Sequence, residues 1–171
     1  SVKVYVKAGA GGHGCVSFRR EKYVPYGGPD GGDGGRGGHV TFRARRDVDS
    51  LLRLYFQPHV TASSGGHGKG KDQHGRNGQD LLVDVPCGTE VWTDDHEQLL
   101  TDLLHDGDEF VVARGGRGGL GNVHFATSTH QAPREHTPGE DGEERTLYLE
   151  LKLVADAGLV GLPNAGKSTF L

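Results

Sequence analysis

The sequence predicts a mainly β fold carrying glycine-rich polyproline II helices packed side by side. Three observations carry that expectation. Residues Gly27 to Gly38 read Gly-Gly-Pro-Asp-Gly-Gly-Asp-Gly-Gly-Arg-Gly-Gly, and from Asp30 they fall into triplets. Three residues per turn is the polyproline II repeat, and two glycines per turn leave two of three faces as bare backbone that another segment can approach closely. Further glycine-dense tracts lie at 9–14, 65–78 and 115–121, each flanked by short apolar runs that read as strands. Hydrophobic residues make up only 33% of the chain while 30 of its 171 residues are glycine, so the apolar core is small and glycine packing has to supply part of the order. An isolated glycine tract reads as a flexible linker. Linkers join domains, however, whereas these tracts alternate with strands.

Taken in order, Val2, Val4 and Val6 alternate with Lys3, Tyr5 and Lys7, a period-two strand ending at the first tract. Cys15 to Tyr23 reads as extended and stops at Pro25. After the triplets, His39 to Arg45 alternates again. Asp49-Ser50 is placed to cap a short helix through Leu51, Leu52 and Leu54, limited by Pro58. Leu81, Val83 and Val85 lead to a turn at Gly88, Glu90 to Thr93 continues as strand, and Asp94-Asp95 reads as a hairpin turn. Phe110 to Ala113 feeds the tract at 115–121. Residues 126–142 show no periodicity and read as loop, and Leu147, Leu149, Leu151 and Leu153 then mark a long half-buried strand. Seven or eight such segments and few helical patterns predict an all-β barrel or sandwich, with no internal repeat longer than the triplets.

At 171 residues the chain suits one ordinary domain with a little to spare. The net charge of −4 hides an asymmetry: residues 1–76 hold 13 Lys and Arg against 6 Asp and Glu, and residues 77–171 hold 6 against 17. A basic first half hints at a polyanion partner, unless the two signs intermingle on the folded surface. Cys15 and Cys87 form neither a disulfide framework nor a Cys-x-x-Cys pattern, as expected in a reducing compartment. No apolar run of spanning length and no signal-peptide pattern is present, so no membrane partner is expected, and the setting is cytoplasmic or the matrix or stroma of an organelle. The chain opens on Ser1 and stops inside a motif at Leu171, as a piece of something longer would.

That motif is the strongest in the chain. Gly161-Leu162-Pro163-Asn164-Ala165-Gly166-Lys167-Ser168 fits Gly-x-x-x-x-Gly-Lys-Ser/Thr, with the apolar Gly158-Leu159-Val160 before it and Thr169 opening a helix. In such a loop backbone N–H groups cradle phosphates, Lys167 reaches the β- and γ-phosphates, and the Ser168 hydroxyl binds Mg²⁺. The pattern does not choose between ATP and GTP. No room remains for a second Mg²⁺ ligand or a water-orienting group, so no catalytic residue is expected within this chain and the chain alone is expected to hydrolyse nothing measurable.

The basic clusters are Arg19, Arg20 and Lys22; Arg43, Arg45 and Arg46; and Lys69, Lys71 and Arg76, near His74. The first and third lie beside glycine tracts, where bare N–H groups and cationic heads can both meet phosphates; solvated surface charge is the plainer reading. Tyr23 and Tyr26 are candidates for base stacking or for ordinary half-buried packing. Ten histidines show none of the spacings typical of metal sites.

These motifs together resemble the Obg family of GTPases. The likeness rests, in chain order, on Phe18-Arg19-Arg20-Glu21-Lys22-Tyr23-Val24-Pro25, the triplet stretch from Gly27, Gln73-His74-Gly75-Arg76, Gly115-Gly116-Arg117-Gly118-Gly119-Leu120-Gly121-Asn122, Gln131-Ala132-Pro133 and the phosphate loop. Tyr26 stands where the family often has Lys. The resemblance implies an Obg domain at 1–154, with polyproline II helices on an eight-stranded β-barrel, and the first strand and phosphate loop of a truncated α/β GTP-binding domain at 155–171. It further implies a monomer that binds GTP or GDP with Mg²⁺, hydrolyses GTP slowly and acts in maturation of the large ribosomal subunit. Glycine-rich tips would reach ribosomal RNA near the peptidyl-transferase centre, and some family members respond to guanosine tetraphosphate. Gly161, Leu162, Pro163, Asn164, Ala165, Gly166, Lys167, Ser168 and Thr169 are the nucleotide-binding positions so implied, and Arg19, Arg20, Lys22, Lys69, Lys71, His74 and Arg76 are the RNA-contact candidates. The competing expectation is a protein-binding regulatory module whose bare polyproline faces recruit a partner.

Overall fold

The computed structural model describes residues 1–153, so the expected strand at 158–160 and the phosphate loop at 161–168 lie outside the described residues. Among the described residues eight strands form: β1 (Val2–Lys7), β2 (Val40–Arg45), β3 (His59–Thr61), β4 (Leu81–Pro86), β5 (Thr89–Thr93), β6 (Leu99–Leu103), β7 (Glu109–Ala113) and β8 (Glu144–Leu151). They make a five-stranded sheet in the order β3-β1-β8-β5-β6 and a three-stranded sheet in the order β4-β2-β7. Alternation decides which way each strand faces. Val4 and Val6, Val40 and Phe42, Val83 and Val85, and Leu147 and Leu149 all point into one core shared by both sheets.

The mainly β class follows the sequence reading, and four local features differ from it. Strand β6 breaks its alternation at a register shift opposite Val91 and Trp92. A second shift, opposite Val40 and Thr41, lets neighbouring Val112 and Ala113 both be buried on β7. The helix α1 (Leu52–Phe56) takes Leu51 as its N-cap, with no side-chain cap bond, and buries Leu51 and Leu54 while Leu52 faces out. Cys15 to Tyr23 is not a strand: Phe18 pairs singly with Pro29, and Glu21 with Val24 across a turn.

Above the sheets stands a bundle of six segments, 8–15, 30–39, 63–69, 72–80, 114–122 and 137–143, joined by backbone hydrogen bonds. Each continues a strand. Three leave β1, β3 and β7, and three lead into β2, β4 and β8. The sixth, marked in sequence only by Gly139 and Gly142, lies in the stretch expected to be plain loop.

The segment 30–39 shows how the triplets work. The N–H groups of Gly34 and Gly37 donate to Gly119 and Gly116, those of Gly32, Gly35 and Gly38 to Lys69, Gly66 and Ser63. Those of Asp33, Arg36 and His39 go instead to side chains, His74 Nδ1, Asn77 Oδ1 and Asp80 Oδ1. Gly31 completes the first row on Asn122 Oδ1. Every third amide therefore points to the same neighbour, the period expected of polyproline II. A strand bonds sideways in two directions only, whereas three directions let segments from the two sheets join. Thus Gly9, Gly12 and Cys15, which continue β1, donate to Gly38, Gly35 and Gly32, which lead into β2.

None of the bundle glycines needs a left-handed backbone; among the described residues the positive-φ glycines are Gly88 and Gly107, in turns. Contact is what requires them. A Cβ on Gly12 would fall 1.9 Å from the Gly66 carbonyl oxygen, and one on Gly37 would fall 1.8 Å from that of Gly9.

Candidate nucleic-acid interface

At the bundle end away from the strands the chain makes three loops. The first, 16–30, folds back on itself through Arg19 N to Gly28 O (2.9 Å) and Asp30 N to Ser17 O (2.9 Å). Its tip is the Glu21–Val24 turn, where Tyr23 holds φ 74°. A bulky side chain in that region is strained, by roughly 1–2 kcal/mol. Tyr23 is 90% and Tyr26 97% exposed, so neither is the half-buried tyrosine that packing would favour. The second loop is a tight hairpin closed by Lys69 and Gln73, with Lys71 and Asp72 both left-handed at its tip and the Asp72 amide bonded to Asp30 O. The third runs from the short 3₁₀ turn at Asn122–Phe125 to His136.

Asn122 fastens two of these loops to the bundle. It is fully buried, and its Oδ1 accepts from Gly31 N (3.0 Å) and Ser17 N (3.4 Å). Its Nδ2 donates to Ser17 O and Pro133 O, both at 3.0 Å. One amide side chain therefore satisfies backbone groups of the first loop, the triplets and the third loop, each costly to leave unmet when buried.

Two open clefts result. One, of about 640 Å³, is lined by Ser17 to Glu21, Asp30 and Gly70 to Asp72; the other, of about 540 Å³, by Phe18 to Arg20, Pro25 to Gly28, Gln131, Ala132 and Arg134. Arg19 and Arg20 border both. Arg19 is paired with Glu21 at 2.9 Å, which raises its own pKa, while that hydrogen bond, the Arg19 charge and the Lys71 charge hold the Glu21 carboxyl below its ordinary range. Lys22 Nζ sits 5.4 Å from the Tyr23 ring centre, a cation–π contact. Among the described residues Arg20, Lys22, Lys69, Lys71 and Arg76 make no ion pair with a carboxylate.

Of the sequence candidates, then, Arg19, Arg20 and Lys71 meet at one cleft, Lys22 stands on the adjoining tip and Lys69 at the hairpin base. His74 is exposed, with its Nδ1 taken up by the Asp33 amide at 3.0 Å, and Arg76 lines neither cleft. Sequence reasoning missed Arg134 and Asn122. For Asn122 the one available signal was a lone amide residue closing the Gly115 to Gly121 tract.

The family model described as GTP1/OBG matches residues 1–153, the whole of the described fold. The chain belongs to the GTP1/OBG family. Two relatives of this GTP1/OBG chain carry the name GTPase Obg: one from Chlorobaculum tepidum, 57% identical over 171 residues, and one from Thermodesulfovibrio yellowstonii, 57% identical over 170. The alignments cover 100% and 99% of this chain but 51% and 50% of those proteins, so the GTP1/OBG chain spans about half the length of the curated relatives it matches. Among its described residues no helix is long and apolar enough to cross a membrane.

Proposed function

We propose that this chain is the N-terminal part of a GTP-binding, slowly GTP-hydrolysing protein that acts on the large ribosomal subunit, with the bundle tip docking on ribosomal RNA near the peptidyl-transferase centre. The observation that carries the RNA reading is the tip itself: two tyrosine rings almost wholly in solvent beside Arg20, Lys22 and Lys71, on loops fastened to a close-packed bundle. Exposed rings offer stacking faces to unpaired bases and unpaired cations meet phosphates, the two elements of single-strand recognition. The nucleotide half of the reading rests on the phosphate-loop sequence at 161–168 and on the relatives' names. Lys167 would meet the phosphates and Ser168 would hold Mg²⁺, which neutralises charge on the transferred phosphoryl group when bound.

The alternative, a module that recruits proteins through bare polyproline faces, draws less support. Those faces are covered inside the bundle, where a Cβ would collide with backbone. Co-sedimentation of the chain with purified large and small ribosomal subunits across a salt series tests the RNA reading. Selective binding to the large subunit that weakens steeply with salt is expected, because phosphate contacts release counterions. Binding to neither subunit, or binding without salt dependence, would overturn it.

A further inference from the structure

Four histidines occupy an unusual position in the bundle. His67 Nδ1 accepts the His13 amide at 2.9 Å, and His13 Nδ1 in turn accepts the Gly139 amide at 3.0 Å. His74 Nδ1 accepts the Asp33 amide at 3.0 Å, and His39 Nδ1 accepts the Gly115 amide at 2.8 Å. Each ring does for a neighbouring segment what a backbone carbonyl does elsewhere in the bundle. The same places one triplet away are filled by side chains without an imidazole: Ser64 serves Ala10 as His67 serves His13, and Asn77 serves Arg36 as His74 serves Asp33.

An imidazole accepts at Nδ1 only while that nitrogen is bare, which in the neutral ring puts the proton on Nε2. Protonation makes both nitrogens donors. The amide opposite then faces a donor, and the interaction changes from a bond to a repulsion. We propose that His13, His39, His67 and His74 are acid-sensitive latches that join bundle segments, closed while the ring is neutral and opened when Nδ1 takes a proton. The latched pairs are segments 8–15 with 63–69 and with 137–143, 30–39 with 72–80, and 30–39 with 114–122.

Charged groups lie around each latch. His13 and His67 stack with ring centres 4.7 Å apart, so protonating both would set two like charges face to face. Lys69 lies on the same segment as His67 and Arg76 on the one bonded to it, and Arg117, Glu140 and Asp141 lie on the segments bonded to that of His13. Beside His39 is Asp80, which accepts the His39 amide and is itself paired with Arg36; Arg114 and Glu143 lie across the joint. His74 differs, because its Nδ1 is 3.8 Å from the Asp33 carboxylate, which also binds His124. A protonated His74 can turn its new N–H to Asp33, so this latch exchanges one bond for another, whereas the other three lose theirs outright. Asp72 and Arg76 flank His74 along its own segment.

Nitrogen NMR of the histidine rings and thermal unfolding of the 171-residue chain test the proposal together. At about pH 8 the four rings should be neutral with the proton on Nε2, and at about pH 5 the His13, Gly115 and Gly139 amides should lose about tenfold or more of their protection, taken relative to the intrinsic exchange rate at each pH. The unfolding midpoint should fall by several degrees over the same interval. Replacing the rings with the amide side chain already used at Asn77, as H13N, H39N and H67N combined, should remove at least half of that fall. Rings protonated on Nδ1 at about pH 8, or a midpoint unchanged between the two conditions, would overturn the proposal. The ring tautomers are read on the unaltered chain, so a triple variant that fails to fold leaves the question decidable.

Discussion

Gly34 and Gly12 leave no space for a methyl group between them: a Cβ on Gly34 would lie 1.9 Å from the Gly12 carbonyl oxygen. Backbone stands on both sides of the contact, so no rotamer change relieves it. Gly34→Ala should therefore cost about 3 kcal/mol or more in urea unfolding, as overpacking of a rigid interior does. Gly28 belongs to the same tract but has nothing within 4 Å of its would-be Cβ, and Gly28→Ala should stay within about 0.5 kcal/mol of the parent. Equal effects at the two positions would refute contact as the reason for the glycines.

Removing the Asn122 side chain should disorganise the tip before it unfolds the sheets. Asn122→Ala strips acceptors from Gly31 and donors from Ser17 and Pro133, a loss of roughly 2–4 kcal/mol for buried groups left unmet. Asn122→Asp keeps the acceptor but sets a buried carboxylate oxygen against the Ser17 and Pro133 carbonyls, and should cost at least as much as the alanine. Amide exchange, measured for loops and strands separately, distinguishes local from global loss.

Acid should weaken the bundle through its carboxylates as well. Asp80 is held under the ordinary aspartate range by its hydrogen bond with Arg36 and by the His39 amide. Asp33 is lowered too: burial, the largest single influence, raises it, but the Gly121 amide and His124 together outweigh that. A carboxyl lowered in the folded state stabilises the fold above its unfolded value, about 3.9, and that contribution is lost as pH falls through the folded one. Asp80→Asn retains an acceptor for His39 but not the charge for Arg36, and should flatten this limb of a stability-against-pH curve. An unchanged limb would assign it to other carboxylates.

For RNA binding, position at the tip should matter more than charge alone. Lys71→Ala should weaken binding and lower the slope of log affinity against log salt by about 0.7 for each phosphate left without its cation, while Arg76→Ala, outside both clefts, should do less. Tyr26→Ala should cost about 1–3 kcal/mol of binding and leave the salt slope unchanged, since stacking releases no counterions. Filter binding with a single-stranded RNA across a salt series reads both quantities.

Strands whose alternation is uninterrupted were legible: Val4 with Val6 and Leu147 with Leu149 mark one buried face at period two. β6 was not, because the register shift near Leu100 breaks its pattern. The triplets announced a three-residue repeat, yet nothing in Gly139 and Gly142 alone distinguishes a sixth bundle segment from a loop. The basic tip residues were visible as clusters. Their meeting was not, since Arg20 and Lys71 are brought together by hydrogen bonds between segments far apart in the chain, Asp72 to Asp30 among them. Least legible were the histidines: whether an imidazole accepts an amide depends on which segment lies opposite, and only the folded bundle supplies that.

Because bonds in the bundle recur at every third residue, its segments have a reading frame. One inserted residue turns everything beyond it by about a third of a turn, so that glycine faces meet side chains and amides meet the wrong neighbours. Insertions or deletions of three keep the phase. Even these must be matched in adjoining segments, because 30–39 is bonded along its length to 8–15, 63–69, 72–80 and 114–122. The height of the tip above the sheets is thus adjustable only in whole triplets, and only by changes made in several places at once.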